Sequence, residues 1–349
     1  MGRLMRDLTS YLVYLDTLLT MIGAFAIYST NFIAYTNATP ILGTIYGIII
    51  VTRGLFPLFL HNERLFRTLP FIHLLALFLM VTLALIFDNI TVYLIGISVS
   101  SLLGVYTGSY VYSLEVTWSK RLSDPSKFFS LISGSEALAF FLAPIVTYLT
   151  QNKLVFLIIL SILTGLGFLF LLYFAYLNRT EIKPKFFAGE LSLIKRAKAL
   201  ATLAAFNWFF LYLWMGMVFE LGVMMGIPSS LILIGVELET TIYMIIQFVI
   251  SKRGIKRLAK IRVVSGLLTI YALIVFTFIL LSSMNVSVVT FFISLIAIAV
   301  SSSPLESLIN TLVSSTESPE ISTVIVSFNY IGGGIGYILA SLLLKFLGS

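Results

Sequence analysis

The sequence predicts an all-α integral membrane protein built as two pseudo-repeated helical bundles, six transmembrane helices plus five. Three observations lead there. Of 349 residues, 59% are hydrophobic and only 11% are charged, against about 25% charged in an ordinary soluble domain. Apolar runs long enough to cross a bilayer, about 20 residues each, recur along the whole chain. The cations fall almost entirely in alternate connections between those runs, as expected of loops retained on the cytoplasmic side.

Eleven runs qualify, at 9–34, 39–60, 70–87, 90–113, 128–149, 154–177, 199–221, 228–250, 262–282, 286–304 and 321–346. With the N-terminus inside, the inner segments hold Arg3 and Arg6, then Arg64 and Arg67, then Lys120, Arg121 and Lys127, then a basic central stretch, then Lys252 to Arg262. The outer segments hold only Lys153 and, near the C-terminus, Lys345, two of the 22 cations. An extra or missed helix would scramble that asymmetry. The net charge of +7 therefore reads as a topology signal and as contact with acidic membrane lipid rather than with nucleic acid. There are no cysteines and only two histidines, His61 and His73, which excludes disulfides and thiol chemistry and argues against a metal site or cofactor. The first run is too long for a cleavable signal and reads as a span. Sequons at Asn37, Asn89, Asn178 and Asn285 are not expected to be modified, because the outer turns are too short.

The central stretch, Asn178 to Lys198, carries Arg179, Lys183, Lys185, Lys195, Arg196 and Lys198. It is expected to lie in cytoplasmic water, with a short helix from Glu190 resting on anionic headgroups. It divides the chain into an N-terminal bundle, 1–177, a linker, 178–198, and a C-terminal bundle, 199–349. The halves show an internal repeat: Leu114-Glu115 closes the fourth span, and Leu305-Glu306 closes the tenth 191 residues later. The basic turn Arg64–Arg67 recurs as Lys252–Arg257. Spans one to six thus match seven to eleven, with a twelfth absent.

With this arrangement the chain resembles the major facilitator superfamily. That family's basic motif after the second and eighth helices is matched by Ser251-Lys252-Arg253-Gly254-Ile255-Lys256-Arg257, with Ser251 where the family has aspartate, and in the first half by Arg64 and Arg67 alone. Gly104 and Gly108 correspond to its fourth-helix Gly-x-x-x-Gly, without the arginine that precedes it, and Ser130, Ala139 and Ala143-Pro144 to its fifth-helix pattern of small residues. The resemblance implies that the third, sixth and ninth spans are peripheral and that a central cavity lies between the halves.

Ionisable groups inside a membrane cost about 2.5–3.5 kcal/mol each on insertion scales and need a partner or a cavity. Asp16 shares a polar stripe of the first span with Thr9, Thr20, Gly23 and Thr30, and a pair with Arg53 on the second span is expected. Glu136 lies on the fifth span with Ala143 and Thr147. Glu237 and Glu239 point to opposite faces of the eighth, with Glu237 assigned to the cavity and Glu239 to packing. Asn207 and Trp214 on the seventh span and Asn329 on the eleventh complete the candidates for binding substrate or protons. Glu115, Gly104, Gly108, Pro144, Glu239, Gly333 and Gly336 are assigned to helix packing or gating, the Gly332–Gly336 run being either a packing stripe or a flexible point.

These features point to a secondary active transporter of the plasma membrane, monomeric, moving a small solute by alternating access with or without coupled protons. No Walker-type loop is present, so ATP-driven pumping by this chain is not expected. Two alternatives from other classes are a non-transporting sensor or lipid scramblase of the same fold and, less favoured for want of an acidic or histidine-rich loop, a membrane enzyme acting on a lipid-linked substrate. The N-terminus is expected inside and, with eleven spans, the C-terminus outside.

Overall fold

A computed structural model describes residues 2–29, 40–87, 90–149, 153–177, 185–284, 287–316 and 318–347. The asparagines of all four sequons fall outside these residues, as does the first part of the central stretch. The described elements are helical: α1 (Gly2–Ser29), α2 (Pro40–Phe59), α3 (Glu63–Phe87), α4 (Ile90–Ser119), α5 (Pro125–Leu149), α6 (Lys153–Leu177), α7 (Leu191–Met215), α8 (Val218–Met224), α9 (Ser229–Arg253), α10 (Ile261–Ser283), α11 (Val288–Ser314) and α12 (Ile321–Leu347), with a 3₁₀ turn at Lys256–Leu258. Among them, seven segments are long and apolar enough to cross a membrane, α7 and α8 counting as one, and shorter apolar segments lie at Leu8–Ala24 and Gly43–Phe59.

Where helices end follows from local chemistry. The span of α7 breaks at Gly216 and Met217, whose N–H groups bond Tyr212 and Trp214 carbonyls at 3.0 and 3.1 Å, and resumes as α8. Gly254 stops α9 with φ 78° and ψ 149°, a region open essentially to glycine alone. Inside α11, Pro304 removes one backbone donor. Ser301 and Ser302 donate to the Ala297 and Ala299 carbonyls at 2.8 and 3.3 Å, and Ser303 donates to Ala299 as well. Hydroxyls that bond their own helix let polar residues stay helical where no water reaches.

Three expected boundaries shift, the first two for that reason. Both α4 and α11 run on past Glu115 and Glu306, to Ser119 and Ser314, so these glutamates lie within helices rather than closing them. At 1.5 Å per residue α4 is about 45 Å long, more than a hydrocarbon core of about 30 Å, so its end projects from it. The helix expected to lie on headgroups from Glu190 is instead the first part of α7, which runs unbroken from Leu191. Nor is the described end of the central stretch simply in water. Phe186 and Phe187 are buried, Phe186 stacking on Phe66 at 4.8 Å and near-parallel to Tyr110 at 6.1 Å. Ser113 donates to the Lys185 carbonyl at 2.9 Å. Two aromatic side chains bury enough apolar surface to outweigh the pull of the neighbouring cations toward water.

The main packing partners of α12 are α7 and α2, those of α5 are α9 and α1, and α3 packs on α4. The halves therefore meet along α2–α12, α5–α9 and α5–α11. Glycines set how closely they meet. A Cβ on Gly332 or Gly336 would land on the backbone of α7 at Ala205 or Phe209, and one on Gly334 would lie 2.6 Å from the Gly47 carbonyl of α2. The α12 helix is continuous through this run, pressed between α7 and α2. On α3, α6 and α10, residues such as Leu75, Leu169 and Leu273 present exposed apolar faces.

Gly332→Ala should lower thermal stability in detergent by an amount equivalent to about 1–3 kcal/mol, the usual cost of overpacking. Gly266→Ala, on α10 with nothing within 4 Å of the added methyl, should be neutral or stabilising by up to about 1 kcal/mol. Thermal unfolding of the two purified variants beside the parent protein checks both signs.

Candidate functional site

Four carboxyl groups gather at the meeting of the halves. Asp16 comes from α1, Glu115 from α4, Glu136 from α5 and Glu306 from α11. The Asp16 and Glu136 carboxyls face one another as side-chain hydrogen-bonding neighbours, and Glu115 and Glu306 lie within electrostatic reach of them. Asp16 Oδ2 and Glu115 Oε1 are buried with no hydrogen-bond partner among the described residues. The described ion pairs are Arg67–Glu63 and Lys185–Glu320, so no described cation neutralises this cluster. Among the described residues no set of three acidic or histidine side chains is arranged to hold a metal ion.

A hydrogen-bond chain leads from the N-terminal half to one of these carboxyls. Ser130 of α5 donates to the Ser307 hydroxyl at 2.9 Å, and Ser307 donates to Gln247 Oε1 at 2.8 Å. Gln247 Nε2 donates to the Ser303 carbonyl at 2.6 Å and to Tyr243 Oη at 3.0 Å. Tyr243 in turn donates to Glu306 Oε2 at 2.9 Å. Nearby, Tyr112 of α4 donates to Asn310 Oδ1 of α11 at 2.6 Å. Gln247, Ser130 and Ser307 are fully buried, where satisfied polar groups fix one arrangement of the helices and unsatisfied ones are costly.

The expected Asp16–Arg53 pair is not formed. Asp16 turns to Glu136, while Arg53 Nη2 donates to Tyr330 Oη of α12 at 2.6 Å, and its guanidinium carbon lies 3.8 Å from the centre of that ring. An aromatic hydroxyl and ring face offer Arg53 a hydrogen bond and a cation–π contact together, and α2 is held to α12 by its glycines. Gly104, assigned to packing, opens the space in which Arg53 Nη2 and His73 Nε2 sit, each 3.0 Å from where its Cβ would be. Gly108 stands in the same way 3.5 Å from Tyr330 Oη.

The remaining candidates are more scattered. Glu239 is buried in the C-terminal bundle in the field of Tyr271, whereas Glu237 is partly exposed on the face of Thr241, which donates to its carbonyl at 2.7 Å. Asn207 and Trp214 are buried along α7, and Asn329 Oδ1 is buried without a partner. Gly333 lies against Tyr212. Nothing is described of the Pro144 side chain. Glu306, Tyr243, Gln247, Tyr330 and His73 were not among the sequence candidates. For Glu306 a signal existed, since the repeated Leu-Glu pair makes it the counterpart of Glu115.

At the end of the bundle that carries the basic loops, the halves are tied by bonds that each pair a side chain with a backbone group. Lys120 Nζ donates to the Thr316 carbonyl at 2.6 Å, Lys256 Nζ to the Ser123 carbonyl at 2.9 Å, and the Ile255 N–H to Ser126 Oγ at 2.8 Å. Asp124 rests directly on Gly254, where a Cβ would overlap its carboxylate. A cleft of about 500 Å³ opens here, lined by Lys120, Lys256, Thr311, Ser314 and their neighbours.

The fold is one shared with several solved membrane transporters. Among solved structures, the chain is similar to the human organic anion transporter MFSD10 (TETRAN), with TM-score 0.70 and 13% identity over 97% of this chain and 92% of that one. It is also similar to a bacterial homologue of the iron transporter ferroportin in an outward-facing state, with TM-score 0.67 and 12% identity over 98% and 92% of the two chains. A variant of the E. coli fucose:proton symporter FucP matches with TM-score 0.57 and 11% identity over 97% and 96%. No protein-family profile and no curated protein matches the sequence.

Gly254→Ala should loosen the basic end, because the methyl meets both a forbidden backbone conformation and Asp124. The chain has no native cysteine, so Ser314→Cys, at a buried position of the cleft, supplies a clean probe. Maleimide labelling of Ser314→Cys should speed up roughly fivefold or more when Gly254→Ala is added, matching strain of at least about 1 kcal/mol.

Proposed function

We propose that the chain is a secondary transporter that moves a small solute by alternating access, with the Asp16–Glu115–Glu136–Glu306 cluster as its proton-coupling site. The observation that carries this reading is the cluster itself: four carboxyls from both halves, buried among the helices, with no described cation paired to them. Like charges gathered where burial also disfavours ionisation repel one another. Such a group takes up protons, and how many it holds depends on how far apart the halves hold Glu306 from its three N-terminal neighbours. That dependence is what coupling requires.

The two bundles, 1–177 and the helices from α7 onward, move against each other about the seam of α2–α12, α5–α9 and α5–α11. The basic loops lie in the cytoplasm at the plasma membrane, by their charge. On that orientation the tied end is the cytoplasmic end, so the chain is closed to the inside. The similar structures are an organic anion transporter, a homologue of an iron transporter and a fucose:proton symporter, three unlike proteins, so the fold supports transport in general while the carboxyl cluster supports proton coupling.

Purified protein in liposomes, with an inward proton gradient and a dye reporting internal pH, tests this. Solute-dependent proton movement is expected, and Glu136→Gln and Glu306→Gln should each cut it by about tenfold or more, the scale of one lost charged interaction. Tyr243→Phe, which breaks the chain of hydrogen bonds but keeps every carboxyl, should lower the rate less. Solute movement that ignores the proton gradient and is unchanged in both glutamine variants would overturn the coupling site.

A further inference from the structure

Resting on that transporter reading, we propose that Arg53, with Tyr330 and His73, forms a subsite for the oxyanion of a soluble organic anion, a carboxylate or phosphate whose apolar body lies on the neighbouring aromatic rings. Arg53 sits six residues from the end of α2, about 9 Å along the helix, and its guanidinium is turned into the seam. No described carboxylate lies within ion-pair distance of it, and its Nε is buried without a partner. A guanidinium kept in a helical bundle and held by a hydroxyl and a ring face, with no counter-ion, marks a functional position. Arginine is also the side chain best shaped to bind a planar oxyanion through two N–H groups.

Two further donors stand beside it. Tyr330 Oη accepts from Arg53, which leaves its own O–H proton free, and no described group accepts it. His73 Nδ1 is engaged with the Thr107 hydroxyl at 3.0 Å, while Nε2 lies with Arg53 Nη2 over Gly104. In the tautomer whose Nδ1 accepts from the Thr107 hydroxyl, Nε2 carries the proton and donates toward the subsite. Gly104 keeps the space open, since any side chain there would fall on both nitrogens.

The walls suit an organic body. Trp208 meets Tyr330 edge-on at 5.3 Å and stacks on Tyr212 at 5.6 Å, and Tyr212 continues to Tyr337 at 6.4 Å. These rings come from α7 and α12, the cation from α2 and the histidine from α3, so both halves contribute. The acidic cluster does not compete for Arg53: along α4, Glu115 lies eleven residues beyond Gly104, about 16 Å.

The test uses liposomes holding the full chain, incubated with a soluble small-molecule extract of the source cells and read by mass spectrometry of what enters or leaves. The solute recovered should carry a carboxylate or phosphate. Arg53→Gln should cut its transport at least about tenfold, the loss of one charge-assisted bond, with Arg53→Lys intermediate. If Arg53→Gln does not fold, Tyr330→Phe, which keeps the ring and loses the hydroxyl, should still raise the half-saturating concentration several-fold. The recovered anion should also quench tryptophan fluorescence in the parent protein and not in Trp208→Phe. A cationic or neutral solute, an anion carried equally well by Arg53→Gln and Tyr330→Phe, or an anionic phospholipid as the sole occupant lost from Arg53→Gln overturns the subsite while leaving transport intact. Transport of nothing at all overturns the transporter reading and the subsite with it.

Discussion

A charge without a partner is costly in hydrocarbon, and the seam between the two halves gathers several such groups among the described residues. Acidic groups from α1, α4, α5 and α11 collect on one part of that seam, and a lone guanidinium from α2 occupies another. Everything around them is arranged to keep the seam narrow yet polar. Serines and threonines bond their own helix carbonyls, as Thr311 does to Ser307 and Thr17 to Val13 at 2.6 Å each. Glycines bring the backbones of α2, α7 and α12 together without side chains between them. An apolar seam would hold more firmly and do nothing. A polar one costs stability, and the cost depends on which partner each group faces.

The bonds that close the basic end are of a kind that can be given up. Lys120, Lys256 and Ile255 reach backbone carbonyls or a serine across the halves, each contact worth roughly 0.5–3 kcal/mol net. None is a buried ion pair, whose rupture would strand a charge at a cost of several kcal/mol. The Lys185–Glu320 pair at 3.9 Å, its lysine mostly exposed, adds little. By contrast, Phe186 and Phe187 anchor the end of the central stretch to α3 and α4 through buried aromatic surface. A connection fixed to one half beside a lightly latched partner is the mechanical arrangement that rigid-body rocking needs.

Much of the architecture was legible in the sequence, because charge asymmetry and hydropathy act along the chain. The alternation of basic and non-basic connections gave the order of spans that the helices follow. What was not legible is what depends on approach between distant helices. Counted along the apolar runs, Asp16 and Arg53 come out at similar depth on consecutive spans, which made pairing the economical expectation. Only the α2–α12 contact, set by Gly54 beside Ser327 and Ile331, shows that Tyr330 takes Arg53 instead. Glu306 was visible as the repeat partner of Glu115, yet hydropathy put both at helix ends, since apolar runs stop where serines begin. Hydroxyls that bond back to the helix hid the true ends. Phe186 and Phe187 were masked in the same way, by six cations in their neighbourhood.

The separation of the two charged zones has a consequence for how a carrier of this build would work. Both touch α4: Glu115 near its projecting end, Gly104 about three turns away. A solute at Arg53 and a proton on the cluster would therefore never compete for one atom. Their energies would still be joined, because α4 meets α11 at Tyr112–Asn310 and reaches Tyr330 of α12 at Gly108. An anion at Arg53 and Tyr330 would touch α2 and α12, and protons on the cluster would relieve the repulsion between Glu306 of α11 and its neighbours on α1, α4 and α5. Both events would act on the same seam, so each would change the affinity for the other by the same factor. On this reading cooperative loading needs no movement of α4 itself, only its rigidity, which a helix of 30 residues without proline or any interior break supplies.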